Sequence, residues 1–228
     1  MKDCFYTLQI FYLSIVNPSK LFERINNLPW YQGLLHQWID EENIEPQSKV
    51  LEMASATGEL SAYLSTRYEL RAIDNNPKMI ARAKEKYPDI AFDVADALNL
   101  PFEEKSFDVV LASSLMNVLD EKQALLDEML RVCKEEGKIM LLFPLEGFSD
   151  SDFVKLSLDL ELQGFSKMAL KMWHKLAKKM GLETIEELLK ERDFEVISTK
   201  IYLGGMVATV FIERKTDIVL NFEHRSKK

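Results

Sequence analysis

The sequence is poor in cysteine, histidine and glycine, and each shortage closes off a class of function. Two cysteines, Cys4 and Cys133, stand far apart with no CxxC or zinc-ligand spacing. Disulfide scaffolds are excluded, and two reduced thiols in a cytoplasmic protein are expected. Three histidines, His36, His174 and His224, form no cluster with cysteines or acids, so no metal site is expected. Basic charge is also short: 29 Lys and Arg stand against 37 Asp and Glu, a net charge of −8. Phosphate backbones need a basic face, which argues against nucleic acid as a partner. Long hydrophobic runs are missing. The apolar stretch Phe5 to Val16 is too short to cross a bilayer and contains Gln9. It lacks a basic lead and a small-residue cleavage site, so it reads as neither a membrane span nor a signal peptide.

What is present is a globular composition: 228 residues, 47% hydrophobic and 29% charged, enough for one packed domain with an appended piece. Asn17-Pro18 is a helix start, with Asn as cap and Pro at the first position, leading a helix to Asn26. Tyr31, Leu34, Leu35, Trp38 and Ile39 recur at helical spacing and predict a second helix. From Lys49 the pattern alternates. Short apolar strands are expected at 49–53, 70–73, 90–94, 107–112 and 138–143, with helices at 58–67, 77–86 and 121–133. Residues 148–180 read as one long helical insertion stopped by Gly181, followed by a capping box at Thr184–Glu187. Residues 194–214 read as two strands around Gly204-Gly205, a hairpin signal.

In an open α/β sheet, ligands bind beyond the carboxyl ends of the strands at the switch point. After the first strand comes Ala54-Ser55-Ala56-Thr57-Gly58, entering a helix whose free N–H groups are expected to favour an anionic group. After the second comes Asp74, an acid able to accept from ribose hydroxyls. After the third come Asp96 and Ala97, on the side of a base, and after the fourth Ser113 and Ser114. Read singly, each is an ordinary turn or helix-entry residue. In this order, with Glu52 closing the first strand, they describe one cleft.

The segments VLEMASATGEL, AIDNNPKMI, DVADALNLPFEEKSFDVVLASSLMNVL and RVCKEEGKIMLLFP resemble the successive motifs of class I S-adenosylmethionine (SAM)-dependent methyltransferases. They are most similar to the small-molecule group that includes the ubiquinone/menaquinone-biosynthesis type. The resemblance covers Lys49 to about Pro144. It implies an α/β Rossmann-like fold: a mostly parallel seven-stranded sheet ending in an antiparallel hairpin, with a helical cap. It implies SAM as cofactor and a small-molecule substrate. Carried over by position, Glu52 matches the acid that braces the loop, and Ala54, Ala56 and Gly58 match its three glycines. Asp74, with Asn75, matches the ribose-binding acid. Asp96 and Ala97 match the adenine side, Ser113 and Ser114 the methionine side, and Ser55 lies within the loop. No residue is assigned to catalysis. The N-terminal helices, residues 1–45, are expected to form a lid, and 46–228 the core with the 148–180 insertion as a cap.

The chain departs from the pattern at Ala54 and Ala56, at Val118 where the group often has histidine, and at Glu135-Glu136 where it often has Pro-Gly. Alanine resists φ > 0 and adds one methyl group, so both alanines are expected at negative φ. These departures keep open a SAM- or nucleoside-binding protein without transferase activity. A dinucleotide site would need its third glycine at Glu59, which argues against it. Aromatic residues Phe5, Phe11, Tyr12, Trp30, Tyr31 and Trp38 are candidates for a pocket wall, with plain core as the commoner role. The lysines between Lys167 and Lys179 read as a solvated face, with a membrane surface as the less favoured partner. His36 and His174 read as packed or surface residues before general bases.

Overall fold

A computed structural model of the chain describes residues 2–215, with side chains from Tyr6 onward. His224, the side chains of Cys4 and Phe5, and the end of the 46–228 range lie outside the described residues.

Strands β1 (Lys49–Met53), β2 (Glu69–Asp74), β3 (Ala91–Val94), β4 (Phe107–Ser113) and β5 (Cys133–Pro144) pair in parallel. A hairpin follows, β6 (Phe194–Tyr202) and β7 (Val207–Arg214), with β7 antiparallel to both β5 and β6. The order across the sheet is β3-β2-β1-β4-β5-β7-β6. The expected seven-stranded sheet with its terminal hairpin is therefore observed. The chain winds outward from β1 to β3, then returns to start β4 on the other side of β1. That reversal opens a crevice above the ends of β1 and β4.

Both faces of the sheet are covered, which is why its central strands are apolar without alternation. Leu51, Met53, Val110, Ile139, Leu141 and Phe143 pack against α6 (Lys122–Val132) and α9 (Leu182–Leu189). Val50, Ala72, Val109, Leu111 and Met140 meet the other layer. That layer holds α3 (Pro29–Asp40), α4 (Glu59–Leu64) and α5 (Pro77–Lys86). Ahead of α3 come α1 (Lys2–Val16) and α2 (Pro18–Asn26), the latter capped by the Asn17 side chain on Lys20 N–H as its sequence predicts. Trp30, Leu34, Leu35, Trp38 and Ile39 of α3 are all buried.

The region 148–180 differs from its reading as one helix. It is two, α7 (Asp150–Asp159) and α8 (Gly164–Leu176). Glu161 and Gly164 both take positive φ and turn the chain between them. A capping box exists, but it is Ser149 with Asp152, which starts α7; Thr184 and Glu187 lie inside α9. Gly181 is not a C-cap. After α8 the chain runs extended, Met180 N–H donates to the Pro144 carbonyl at 3.0 Å, and Gly181 then precedes α9 with φ −81. Of the insertion's lysines, Lys175 pairs with Asp150 and Lys178 with Asp120. α1 packs on α8 and leaves Leu8, Phe11, Tyr12 and Ile15 exposed. Among the described residues, no helix is long and apolar enough to cross a membrane.

Candidate functional site

Above β1 and β4 lies a cleft of about 300 Å³, the lower end of the usual small-molecule range. Its floor and one wall are Glu52, Ala54, Ser55, Ala56, Asp74, Asn75, Ser113 and Ser114. The facing wall comes from the N-terminal helices, through Phe22, Asn26, Tyr31 and Leu35. An adjoining recess of about 50 Å³ shares Ala54, Asp74 and Asn75 and adds Asp96 and Ala97. The structure thus brings all of the sequence-selected residues to one place except Gly58, which shapes the loop from behind. A wider groove of about 730 Å³ between α2 and α5 is lined by Lys20, Glu23, Arg24 and Arg82 and opens to solvent. None of the orphaned polar atoms described next lies in that groove.

The loop after β1 corrects two expectations. Ala54 and Ala56 sit at φ 59 and 48, not at negative φ, and Gly58 at φ 84. All three positions are left-handed, so the backbone keeps a glycine-loop path with side chains on two of its turns. The alanines lie near the centre of the left-handed well, where a β-carbon costs about 1–2 kcal/mol per residue and is not forbidden. Among the described residues, three of the seven non-glycine residues at positive φ (Ala54, Ala56 and Ser114) line this cleft. Backbone strain concentrates at functional sites because the surrounding structure must enforce it.

A second, partial correction concerns three of the loop's own N–H groups, which are not free for a ligand. Ser55 N–H donates to the Ile73 carbonyl at 2.9 Å, Ala56 N–H to Asp74 Oδ2 at 3.0 Å and Gly58 N–H to the Ser55 carbonyl at 2.9 Å. The six-residue α4 adds little dipole. Beside the N–H groups at the start of α4, the cleft offers side chains. The hydroxyls of Ser55, Ser113 and Ser114 are buried and without partners. Orphaned buried hydroxyls are costly unless a ligand supplies their bonds.

Asp74 and Glu52 divide the bracing role. Asp74 accepts from Ala56 N–H through one oxygen and from Asn76 N–H at 2.8 Å through the other, so it ties the loop to the start of α5. Glu52 accepts from Ser61 Oγ at 2.5 Å and so holds α4. Burial pushes the Glu52 carboxyl up to about 8, and neighbouring Glu59 and Asp74 push the same way against the Ser61 bond. Asp96 is exposed and accepts from Leu98 N–H at 2.9 Å, closing a turn.

Sequence reading missed Glu59, Phe22, Asn26 and Met79, all of which line the cleft. Glu59, buried at the start of α4, bonds Thr57 Oγ1 at 2.6 Å, Lys86 Nζ at 2.8 Å and Asn26 Nδ2 at 3.2 Å. It thereby fixes the end of α2 over the loop. The paired Asn26-Asn27 closing an amphipathic helix was the available signal. Of the aromatic wall candidates with described side chains, Tyr31 reaches the cleft; Trp30 and Trp38 are core, while Phe11 and Tyr12 are exposed. His36 stacks on Tyr63 at 3.7 Å, and His174 is buried with Nε2 2.8 Å from Asp150. Neither histidine lines the cleft. Among the described residues, no group of three His, Cys, Asp or Glu is placed to hold a metal.

Comparison with known proteins meets this geometry. Residues 50–137 match a family model described as "Methyltransferase domain". A demethylmenaquinone methyltransferase of Paenarthrobacter aurescens (strain TC1) is 36% identical over 115 residues, covering 48% of this chain and 45% of that protein. A ubiquinone/menaquinone biosynthesis C-methyltransferase of Idiomarina loihiensis is 28% identical over 190 residues, covering 75% of each. The chain spans about half the length of the curated relatives it matches first. Among solved structures, a SAM-dependent methyltransferase of Aquifex aeolicus aligns with a TM-score of 0.62 at 16% identity, covering 83% of this chain and 96% of that one. The matched segment contains the loop, the strand-end acids Glu52, Asp74 and Asp96, and the two serines.

Proposed function

We propose that this chain is a class I SAM-dependent methyltransferase that acts on a small, largely apolar acceptor, with a quinol-type ring as the acceptor class. One observation carries the reading: the loop Ala54–Gly58 holds three left-handed residues against alanine's preference, at the switch point of a sheet of this topology. A decayed loop would have relaxed. The acceptor class follows the relatives, whose names specify quinone biosynthesis.

The residues present fit the cofactor. Ser55, Ser113 and Ser114 offer three buried hydroxyls that lack partners. Asp74 keeps unused lone pairs on a carboxylate facing the cleft, and with Asn75 would hold the ribose. Asp96 and Ala97 would border the adenine, Ser113 and Ser114 the methionine portion. When bound, SAM supplies a methyl group on a sulfonium that an acceptor atom displaces in line. This chain's part is to orient the two partners and exclude water, which suffices for a large rate enhancement. No nucleophilic side chain is needed. Cys133 is not one: burial pushes its thiol up to about 12. Residues 1–45 act as a lid and 148–180 as a cap, in a cytoplasmic protein.

The reading without transferase activity is not favoured, because the strained loop is kept. Incubation with SAM and a short-chain naphthohydroquinone should release S-adenosylhomocysteine and add one methyl group to the acceptor. Binding of S-adenosylhomocysteine with no methyl transfer to hydroquinones, phenols or amines would put the non-catalytic reading first. No binding of either cofactor form would sink both.

A second expectation concerns Asp74. Asp74→Ala removes the acceptor for two backbone N–H groups as well as the proposed ribose contact. Affinity for S-adenosylhomocysteine should fall roughly 10- to 100-fold, about 1.4–2.8 kcal/mol, in calorimetric titration. Asp74→Asn, which keeps one carbonyl oxygen, should fall between. Unchanged affinity in both variants would reduce Asp74 to a loop brace.

A further inference from the structure

The facing wall of the cleft carries a phenol packed between two indoles. Tyr31 belongs to α3, yet its ring is clamped from two directions. Trp30 lies edge-on at 5.6 Å and 82°, and Trp173 of α8 at 5.5 Å and 78°. The two indoles stack on each other at 5.9 Å and 24°, and Trp30 Nε1 donates to Ser166 Oγ at 3.0 Å. The N-terminal helices and the 148–180 region therefore meet at this aromatic trio, and the trio leaves the phenol little rotational freedom.

The clamped residue lines the cleft close to Ser113, whose buried hydroxyl meets no other polar group. Burial pushes the Tyr31 phenol up, with the Ser113 hydroxyl opposing the shift, so Tyr31 keeps its proton at neutral pH and is a donor. Beside them Phe22, Leu35, Leu60 and Met79 supply apolar surface, in a lining that also holds Asn26, Glu59 and Asn76. Polar groups set in apolar surface select a ligand with a polar end on an apolar body. Asp74 and Asn75, assigned to the ribose, line the same cleft from the loop side, and Ser113 stands where the methionine portion and the acceptor meet.

We propose that Tyr31 is the acceptor-positioning residue: its hydroxyl, with that of Ser113, hydrogen-bonds a ring oxygen of a phenol- or quinol-type acceptor whose apolar body lies against Phe22, Leu35 and Met79. The assignment rests on the methyltransferase reading for its choice of acceptor class, but its own content is a binding contact. The aromatic clamp explains why α3 and α8 must pack before the site is competent. Fixing one hydrogen bond in place selects the near-attack pose that transfer requires.

The test compares 1-naphthol with 1-methylnaphthalene, which has a methyl group in place of the ring oxygen, by calorimetric titration into the full chain saturated with S-adenosylhomocysteine. Wild type should bind 1-naphthol at least tenfold more tightly than the hydrocarbon. Tyr31→Phe keeps the ring in the clamp and should bind the two alike, with hydrocarbon and cofactor affinities within twofold of wild type. Ser113→Ala, a small change at a strand end, should weaken the preference in the same direction. A preference that persists in Tyr31→Phe overturns the assignment, as does a wild type that shows none. Loss of cofactor affinity in Tyr31→Phe overturns it too, by placing Tyr31 on the cofactor side. Failure of the function reading is distinct: it is absent turnover with hydroquinones while the naphthol preference stands.

Discussion

Gly58→Ala should destabilise the protein by about 2–4 kcal/mol and lower its melting temperature by roughly 10 °C. Two costs add. Gly58 holds φ 84, beyond the centre of the left-handed well that Ala54 and Ala56 occupy at 59 and 48. A β-carbon there would meet Phe92 Cζ at 2.6 Å and Tyr87 Cδ2 at 3.2 Å. Phe92 is 2% exposed and cannot swing aside. The reverse substitutions act in the opposite direction. Ala54→Gly and Ala56→Gly relieve left-handed alanine, and each should stabilise by about 0.5–1 kcal/mol after the flexibility glycine adds to the unfolded chain. Thermal unfolding of the three variants checks the set. Equal effects of Gly58→Ala and of an alanine reversal, in size and sign, would mean that φ and packing do not set the loop's composition.

This contrast explains why the loop retains one glycine where the pattern it resembles has three. Glycine is indispensable where a β-carbon would meet an aromatic ring, and alanine suffices where only the backbone angle is left-handed. Residue identity could not reveal that difference, since φ depends on what packs behind the loop. The same holds for the N–H groups of Ser55, Ala56 and Gly58. Free donors are the natural reading of a strand-to-helix turn, but their partners, the Ile73 carbonyl, Asp74 and the Ser55 carbonyl, depend on tertiary geometry. The strands were legible because burial on both faces forces continuous apolar runs, and the hairpin because Gly204-Gly205 supplies positive φ at both positions. The break between α7 and α8 was not, because Gln163-Gly164 interrupts an amphipathic pattern that is equally good on either side. Tyr31 stood among six aromatic candidates, and nothing in spacing separates a clamped phenol from a core ring.

Glu52→Gln should leave stability nearly unchanged at pH 5 and raise it by several kcal/mol at pH 9. Glu52 is 4% exposed, and its folded-state pKa is about 8 against an ordinary 4.5. Below pH 4.5 both folded and unfolded chains carry the proton, and burial costs nothing extra. Between 4.5 and 8 the unfolded chain releases the proton while the folded chain keeps it. The unfolded state then binds fewer protons, so stability falls as pH rises, by 1.36 kcal/mol per pH unit for this group. Above pH 8 the loss levels off at about 5 kcal/mol. Glutamine copies the neutral acid: its amide oxygen can still accept from Ser61 Oγ, and it has no charge to release. The difference between variant and wild type isolates this one group from every other that titrates in the window. The consequence reaches the site itself. At neutral pH Glu52 adds no charge to the cleft, Glu59 is matched by Lys86, and Asp74 is the acid left to meet a ligand. Urea unfolding at pH 5, 7 and 9 should therefore give midpoints that diverge steadily with pH. Parallel curves for Glu52→Gln and wild type would show that Glu52 is ionised in the folded protein, and the cleft would then present two unmatched acids instead of one.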